Sequence, residues 1–314
     1  MAEVPQIASG MDAASKPPLP EYTRERRRFH SSRAWHRFAR QPVAMGAGFV
    51  LLVLFVGGAL VHQITPHDAR INLSAEWRNH PPVLSGWHLF GTDNIGQDIL
   101  LRTLYGLHTS EQTALAATLF ATVLGVAIGS IAGYRGGMFD VLMMRLADLL
   151  GIFPLIVVFL VVYAYFTPVT AWKASVALAC FLWVPMARVV RAEISALRSE
   201  EFVQAALSLG ASDRRIFARH LLPNGSGSII VAATTLLGQV FIVEATLEFF
   251  GLGVSTAIQP TLGNLIGDGY RGVLALGEGW WTWAFPAGVL LVILVCVNLV
   301  GDGIADALRP PKHR

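Results

Sequence analysis

The sequence predicts an all-α integral membrane protein with six transmembrane helices, and three observations carry that expectation. The 314 residues are 54% hydrophobic and only 14% charged, against about 25% charged in a soluble domain. Six apolar runs approach the ~20 residues needed to cross a bilayer. The basic residues also fall unevenly on alternate segments between these runs.

Residues 1–41 form a polar tail rich in Pro, Ser and Arg. Its first twenty or so residues have too little apolar surface to offset the entropy of ordering, and read as disordered. The run TRERRRFHSSRAWHRFARQP leads directly into an apolar span, so it reads as a juxtamembrane anchor with Trp35 and Phe38 at the interface, and nucleic acid is not expected as a partner. A cleaved signal peptide is disfavoured, because the apolar run starts late and no small-residue cleavage site follows.

Residues 42–111 hold the first span, Val43–Val61, and a long segment rich in His, Pro and Trp. The end of that segment, GTDNIGQDILLRTLYGLHTS, opens on a Thr92/Asp93 cap and predicts an amphipathic helix on the membrane surface. Residues 112–303 hold the other five spans. The second is Thr113–Ala132; from within it and past its end Gly125, Gly129, Gly133 and Gly137 recur every fourth residue and let another helix approach closely. The third, Leu146–Phe166, is interrupted by Pro154, and Asp148 near its start suits the helix dipole. The fourth, Trp172–Val190, has Pro185 near its end. The fifth is Ser228–Phe250, residues 251–279 read as a Gly-rich loop, and the sixth is Trp281–Val300. Residues 304–314 form a short tail.

With the N-terminus inside, 19 of the 24 Lys and Arg fall on inner segments, which places both termini in the cytoplasm. Cys180 and Cys296 lie in apolar runs without a CxxC partner and read as small buried hydrophobes, not as a disulfide or metal site. His62, His67 and His108 lack metal-ligand spacing. There is no HExxH, GxSxG or P-loop, so the chain is expected to be no enzyme and to bind neither metal nor ATP itself.

Between the fourth and fifth spans lies EEFVQAALSLGASDRRIFARHLLPN, the longest stretch of the second half that a bilayer excludes. Phe202, Ala206 and Leu209 share a helical face, and Gly210 offers a C′ stop. Ser212 and Asp213 can cap a second short helix with Ile216, Phe217 and Leu221 as its apolar side, ended by Pro223 and Asn224. Pattern alone leaves two readings, a docking surface or an ordinary polar loop. Glu244 and Glu248, at i and i+4, also leave alternatives open: a polar lining for a translocation path or contact with a cationic substrate end, against two side chains reaching the outer interface, where charge is cheap.

At the polar stretch the sequence resembles the permease subunits of bacterial ABC importers. Their signature is Glu-Ala-Ala, three residues, Gly, nine residues, Ile, one residue, Leu-Pro. Gln204, Ala205, Ala206, Gly210, Leu222 and Pro223 stand at that spacing, with Gln204 in place of the Glu and His220 in place of the Ile. GTDNIGQDILLRTLYG, AGYRGGMFDVLMMRLAD, RHLLPN, VEATLEFFGLGV and NLVGDGIADALRP narrow the resemblance to the C-type permease of the dipeptide, oligopeptide and nickel branch, over roughly residues 33–310. Gln97 stands where an Arg is usual, Leu262 where a Trp is common, and Glu248 where a small polar residue is usual.

The resemblance implies a type I ABC importer permease fold, in which residues 200–224 form coupling helices that dock on an ATP-binding subunit. Phe202, Gln204, Ala205, Ala206, Gly210, Arg214, Arg215, Leu222 and Pro223 would carry that contact. It implies a bacterial cytoplasmic-membrane location and, as partners, a sister permease, two ATP-binding subunits that hold ATP and Mg, and an extracytoplasmic solute-binding protein. Peptides are the first expectation for the substrate, with nickel chelates or other small solutes on the same scaffold as the alternative. A stand-alone secondary transporter would instead carry charge or broken helices at mid-depth.

Overall fold

The computed structural model describes residues 35–64, 77–83, 88–166, 168–254, 259–277 and 279–308. The expected disordered tail, His67, and most of the basic run lie outside them. Among the described residues the fold is helical, with one isolated β-bridge between Thr92 and Asp98. After a short helical turn at residues 35–39 come α1 (Pro42–Ile64), α2 (Ile99–Arg135), α3 (Gly137–Ile152), α4 (Leu155–Tyr165) and α5 (Ala171–Arg198). There follow α6 (Glu201–Ser208), α7 (Asp213–Ile216), a π-helical turn (Phe217–Leu221), α8 (Leu222–Phe249), α9 (Leu262–Leu276) and α10 (Trp281–Leu308).

Five units are long and apolar enough to cross a membrane: α1, α2, α5, the continuous run Asp213–Phe249, and α10. The expected third span is not straight. It is divided into α3 and α4, which together qualify as a sixth crossing but are bent by 86°. Pro154 has no N–H to donate and drives Phe153 out of the helical region, to φ −77° and ψ 130°, so the helix stops there. The break also relocates Asp148. It sits in the last turns of α3, where the dipole disfavours a carboxylate, and is held instead by Arg188 at 2.9 Å.

The expected surface helix and second span are one helix. No proline interrupts α2 over its 37 residues, and the 111/112 boundary falls inside it. Its N-cap is Asp98, which accepts the Leu101 N–H at 2.9 Å, so Thr92 and Asp93 do not cap it. Asp93 accepts the Ile95 and Gln97 N–H groups and pairs with Arg102 at 2.6 Å.

Helices α2 and α5 pack most extensively, and glycine is the reason. A Cβ on Gly125 would lie 2.6 Å from that of Met186, one on Gly129 2.5 Å from the Ala187 carbonyl oxygen, and one on Gly133 2.6 Å from that of Arg191. Gly137 departs from the expected stripe. It starts α3 at φ +64° with nothing within 4 Å, so it serves the turn and not the packing. Large apolar side chains such as Phe49, Leu52, Leu142 and Leu291 face outward, as lipid or partner contact requires. Cys296 is buried, but Cys180 lies on the exposed face.

Close contacts between neighbouring helices set Pro42, Arg135, Arg198, Leu222 and Leu308 at one end of the bundle, the basic end. At the opposite end the loop expected at 251–279 contains α9, opened by a capping box between Thr261 and Asn264. Gly263 and Gly267 bring α9 against the backbone of α8. The preceding loop docks here too. Asn79 donates to the Gly277 carbonyl at 3.2 Å and accepts the Gly279 N–H at 2.9 Å, Trp281 donates to the Thr92 carbonyl at 3.0 Å, and Phe90 stacks on Phe285 at 4.1 Å.

Candidate functional site

At the basic end α6 projects from the bundle as a helix with one anchored face. Glu200 is its N-cap and Gly210, at φ +76°, its C′ residue. The Gly210 N–H meets the Leu207 carbonyl at 2.9 Å and the Ala211 N–H the Ala206 carbonyl at 3.1 Å, a Schellman closure that needs the left-handed conformation glycine adopts freely. The buried face is not the one the periodicity indicates. Val203 is fully buried and Ala206 half-buried, whereas Phe202 is 38% and Leu209 88% exposed. The apolar Phe202 and Leu209 therefore point away from the chain's own core, with Ala205, Gly210, Arg214 and Arg215 also exposed.

Gln204 donates from Nε2 to the Arg198 carbonyl at 3.1 Å, closing the end of α5. A glutamate, acceptor-only when ionised, could not make this bond. His220 brings its ring to 6.3 Å from that of Phe202, so the second departure from the family pattern joins α6 to the π-helical turn. Beneath them Tyr134, at the end of α2, donates its hydroxyl to Asp213 at 2.7 Å, and the Arg198 guanidinium stands 5.6 Å above its ring. Arg191 makes a bidentate pair with Asp140, pinning α3 to α5.

The second short helix does not end at Pro223 and Asn224. Ser212 makes no side-chain cap, and α7 runs through the π-helical turn into α8. The proline explains the turn: its ring would crowd the carbonyl four residues back and it donates no hydrogen bond, and a widened turn accommodates both. The Leu222 N–H bonds five residues back to Phe217, and Asn224 donates from Nδ2 to the His220 carbonyl at 2.6 Å.

The acidic pair sits at the other end of the same helix. Glu244 and Glu248 are each 2% exposed, so neither reaches a solvated interface. Their four carboxyl oxygens are buried. The Ser110 and Thr113 hydroxyls of α2 face Glu244, and the Thr261 hydroxyl with the Val254 and Gly263 N–H groups faces Glu248. Glu248, Tyr163 and Asn264 line a cleft of about 770 Å³ between α4, the end of α8 and α9. The structure thus brings the two acids together and sets them at the far end of the helix that begins beside α6. The sequence does not single out Tyr134 or Tyr163, because each is an aromatic at a helix end, a signal too common to mark a site. Among the described residues no group of three or more His, Cys, Asp or Glu could hold a metal ion.

The multi-pass apolar bundle carries an exposed helical elbow at one end, and the class it belongs to, a membrane transport permease, follows from the family it matches. Residues 125–313 match the family described as binding-protein-dependent transport system inner membrane component, and residues 31–82 match the N-terminal TM domain of oligopeptide transport permease C. The chain belongs to the family of binding-protein-dependent transport system inner membrane components. It is 34% identical to the dipeptide transport system permease protein of Bacillus subtilis, covering 96% of this chain and 90% of that one. It is 35% identical to the oligopeptide transport system permease protein of the same organism, covering 88% of each. A glutathione transport system permease protein of Escherichia coli is 35% identical, over 88% of this chain and 89% of its own. Among solved structures, an inward-facing MetNI methionine ABC transporter chain shares the fold at TM-score 0.54 and 19% identity, covering 68% of this chain and 97% of its own. The family is one of transport permeases and not of enzymes.

Proposed function

We propose that this permease forms half of the translocation path of an ATP-driven importer for peptides or similar small solutes. In this reading a sister permease completes the path, two separate subunits bind ATP and Mg, and an extracytoplasmic protein delivers the solute to the end bearing α9. The chain spans a bacterial cytoplasmic membrane with both termini and α6 in the cytoplasm, in keeping with its inner basic residues. The names of its relatives support the substrate class.

The observation that carries the coupling role is the outward-facing Leu209, 88% exposed on a rigidly closed elbow. With Phe202 and Leu207, also exposed on this short helix, it forms an apolar cluster outside the bilayer, and a cluster of that kind suits a partner contact. Asp213–Phe249 is one unit of 37 residues, so motion imposed on α6 and α7 by the ATP-binding subunits would reach the acidic pair about 50 Å away along a single helix. Residues 42–111 and 112–303 share α2 and would move together.

The test is co-purification with candidate ATP-binding subunits, followed by transport in proteoliposomes. Leu209→Glu, at a side chain with no intramolecular role, is expected to leave the membrane domain folded and to weaken ATPase association by tenfold or more, about 1.4 kcal/mol or greater. Unchanged association with Leu209→Glu, Ala206→Glu and Gly210→Pro alike would remove the docking role.

A further inference from the structure

Glu248 lies at the floor of the cleft between α4, the end of α8 and α9. It is 2% exposed; the Thr261 hydroxyl and the Val254 and Gly263 N–H groups face its carboxyl group, and no cationic side chain is among them. Asn264, on the facing helix, leaves its buried Nδ2 unpartnered. The cations nearest the cleft are engaged elsewhere: Arg271 with Asp268 at 2.8 Å and the Phe249 carbonyl at 2.9 Å, Lys173 with the Phe166 and Pro168 carbonyls at 3.4 and 3.0 Å. Glu244 stands one turn below, so a second acid adds to the field at the same place. A buried carboxyl group with no counter-charge is expensive unless something supplies one.

The cleft specifies what kind of cation that is. A bare divalent ion takes six or more oxygen ligands, and no group of three or more acidic, His or Cys ligands occurs among the described residues. The volume of about 770 Å³ is instead that of an organic molecule, and the walls are Leu160, Val169 and Val254 with the ring of Tyr163. Asp268 also lines the cleft but is paired with Arg271, so apolar walls, one aromatic face and one carboxyl group that no cation neutralises suit an ammonium group carried on a partly apolar body. Access is controlled by the turn after α8. A Cβ on Gly253 would lie 2.5 Å from the Glu248 Cγ, so this turn covers the carboxyl group and has to shift for a ligand to reach it.

We propose that Glu248 receives the protonated amino group of the solute as it enters the translocation path. This rests on the importer reading above and adds the feature of the solute that the permease itself recognises.

The experiment uses the whole complex, with sister permease, ATP-binding subunits and binding protein, in proteoliposomes. Tri-alanine and N-acetyl-tri-alanine are the transported probes, and phenethylammonium is the equilibrium-binding probe on the purified complex. Glu248→Gln and Glu248→Ser are expected to lower tri-alanine uptake and phenethylammonium affinity about tenfold, leaving N-acetyl-tri-alanine uptake and ATP hydrolysis within about twofold. Equal loss for both peptides, or no loss for either, overturns the proposal. Phenethylammonium binding that depends on Glu248 without transport of either peptide upholds the cation site and rejects the peptide importer. Peptide uptake with amine binding indifferent to Glu248 rejects the cation site alone.

Discussion

A methyl group on Gly129 would sit 2.5 Å from the Ala187 carbonyl oxygen, and backbone cannot rotate away as a side chain can. Gly129→Ala is therefore expected to force α2 from α5 and cost about 1–3 kcal/mol, read as a lower thermal midpoint in detergent. Gly57, inside α1 with nothing within 4 Å, is the opposite case: Gly57→Ala is expected to gain about 0.5–1 kcal/mol from helix propensity. Glycines spaced by four announce a close helix contact, and three of the four do make it. Gly137 falls outside because a period of four does not say where the helix ends. At Gln204 the expected effect is on coupling more than on stability. Gln204→Glu removes the donor to the Arg198 carbonyl and puts a negative charge at the C-terminal end of α5. It should change thermal stability by less than about 1 kcal/mol while altering the ratio of transport to ATP hydrolysis.

The element that most needs its surroundings to be read is the junction from α7 to α8. Proline commonly ends a helix, and Pro223 followed by Asn224 carries that signal. Here the π-helical turn absorbs the ring, and Asn224 satisfies the His220 carbonyl, so the helix persists. Pro223→Ala permits this segment to return to α-register, turning α7 by up to about 100° relative to α8. Raised thermal stability with reduced solute-stimulated ATP hydrolysis is the expected combination; a fall in both would mean that the turn has no coupling role. Helix α9 is hidden in the sequence for a different reason. Its glycines at 263, 267, 269 and 272 read as a loop, although the Thr261 to Asn264 capping box marks its start. Those at 263, 267 and 269 are explained by neighbouring backbone that leaves no room for a Cβ.

At the scale of the whole molecule the two ends have distinct tasks. The basic end presents an exposed apolar elbow, and the opposite end ties two loops together through Asn79 and Trp281. Asn79→Ala removes both side-chain bonds to residues 277 and 279. It is expected to speed amide exchange across 88–98 and lower uptake driven by the binding protein, with little change in basal ATP hydrolysis. Sidedness is testable independently. In a background lacking Cys180 and Cys296, Leu209→Cys is expected to react with a membrane-impermeant maleimide in inverted vesicles and not in intact spheroplasts.

Composition and apolar run length determined by themselves that the chain is a helical membrane protein, because burial in a bilayer demands that every backbone group be paired within a helix. Motif spacing located the elbow, since Gly210 carries the backbone conformation that closes it. The direction each surface faces was decided only in three dimensions. Val203 and not Leu209 faces inward, Glu248 lies beneath a glycine turn and not at an interface, and the third crossing bends at Pro154. These outcomes depend on which segment packs alongside, and a periodicity records that a face exists without recording what covers it.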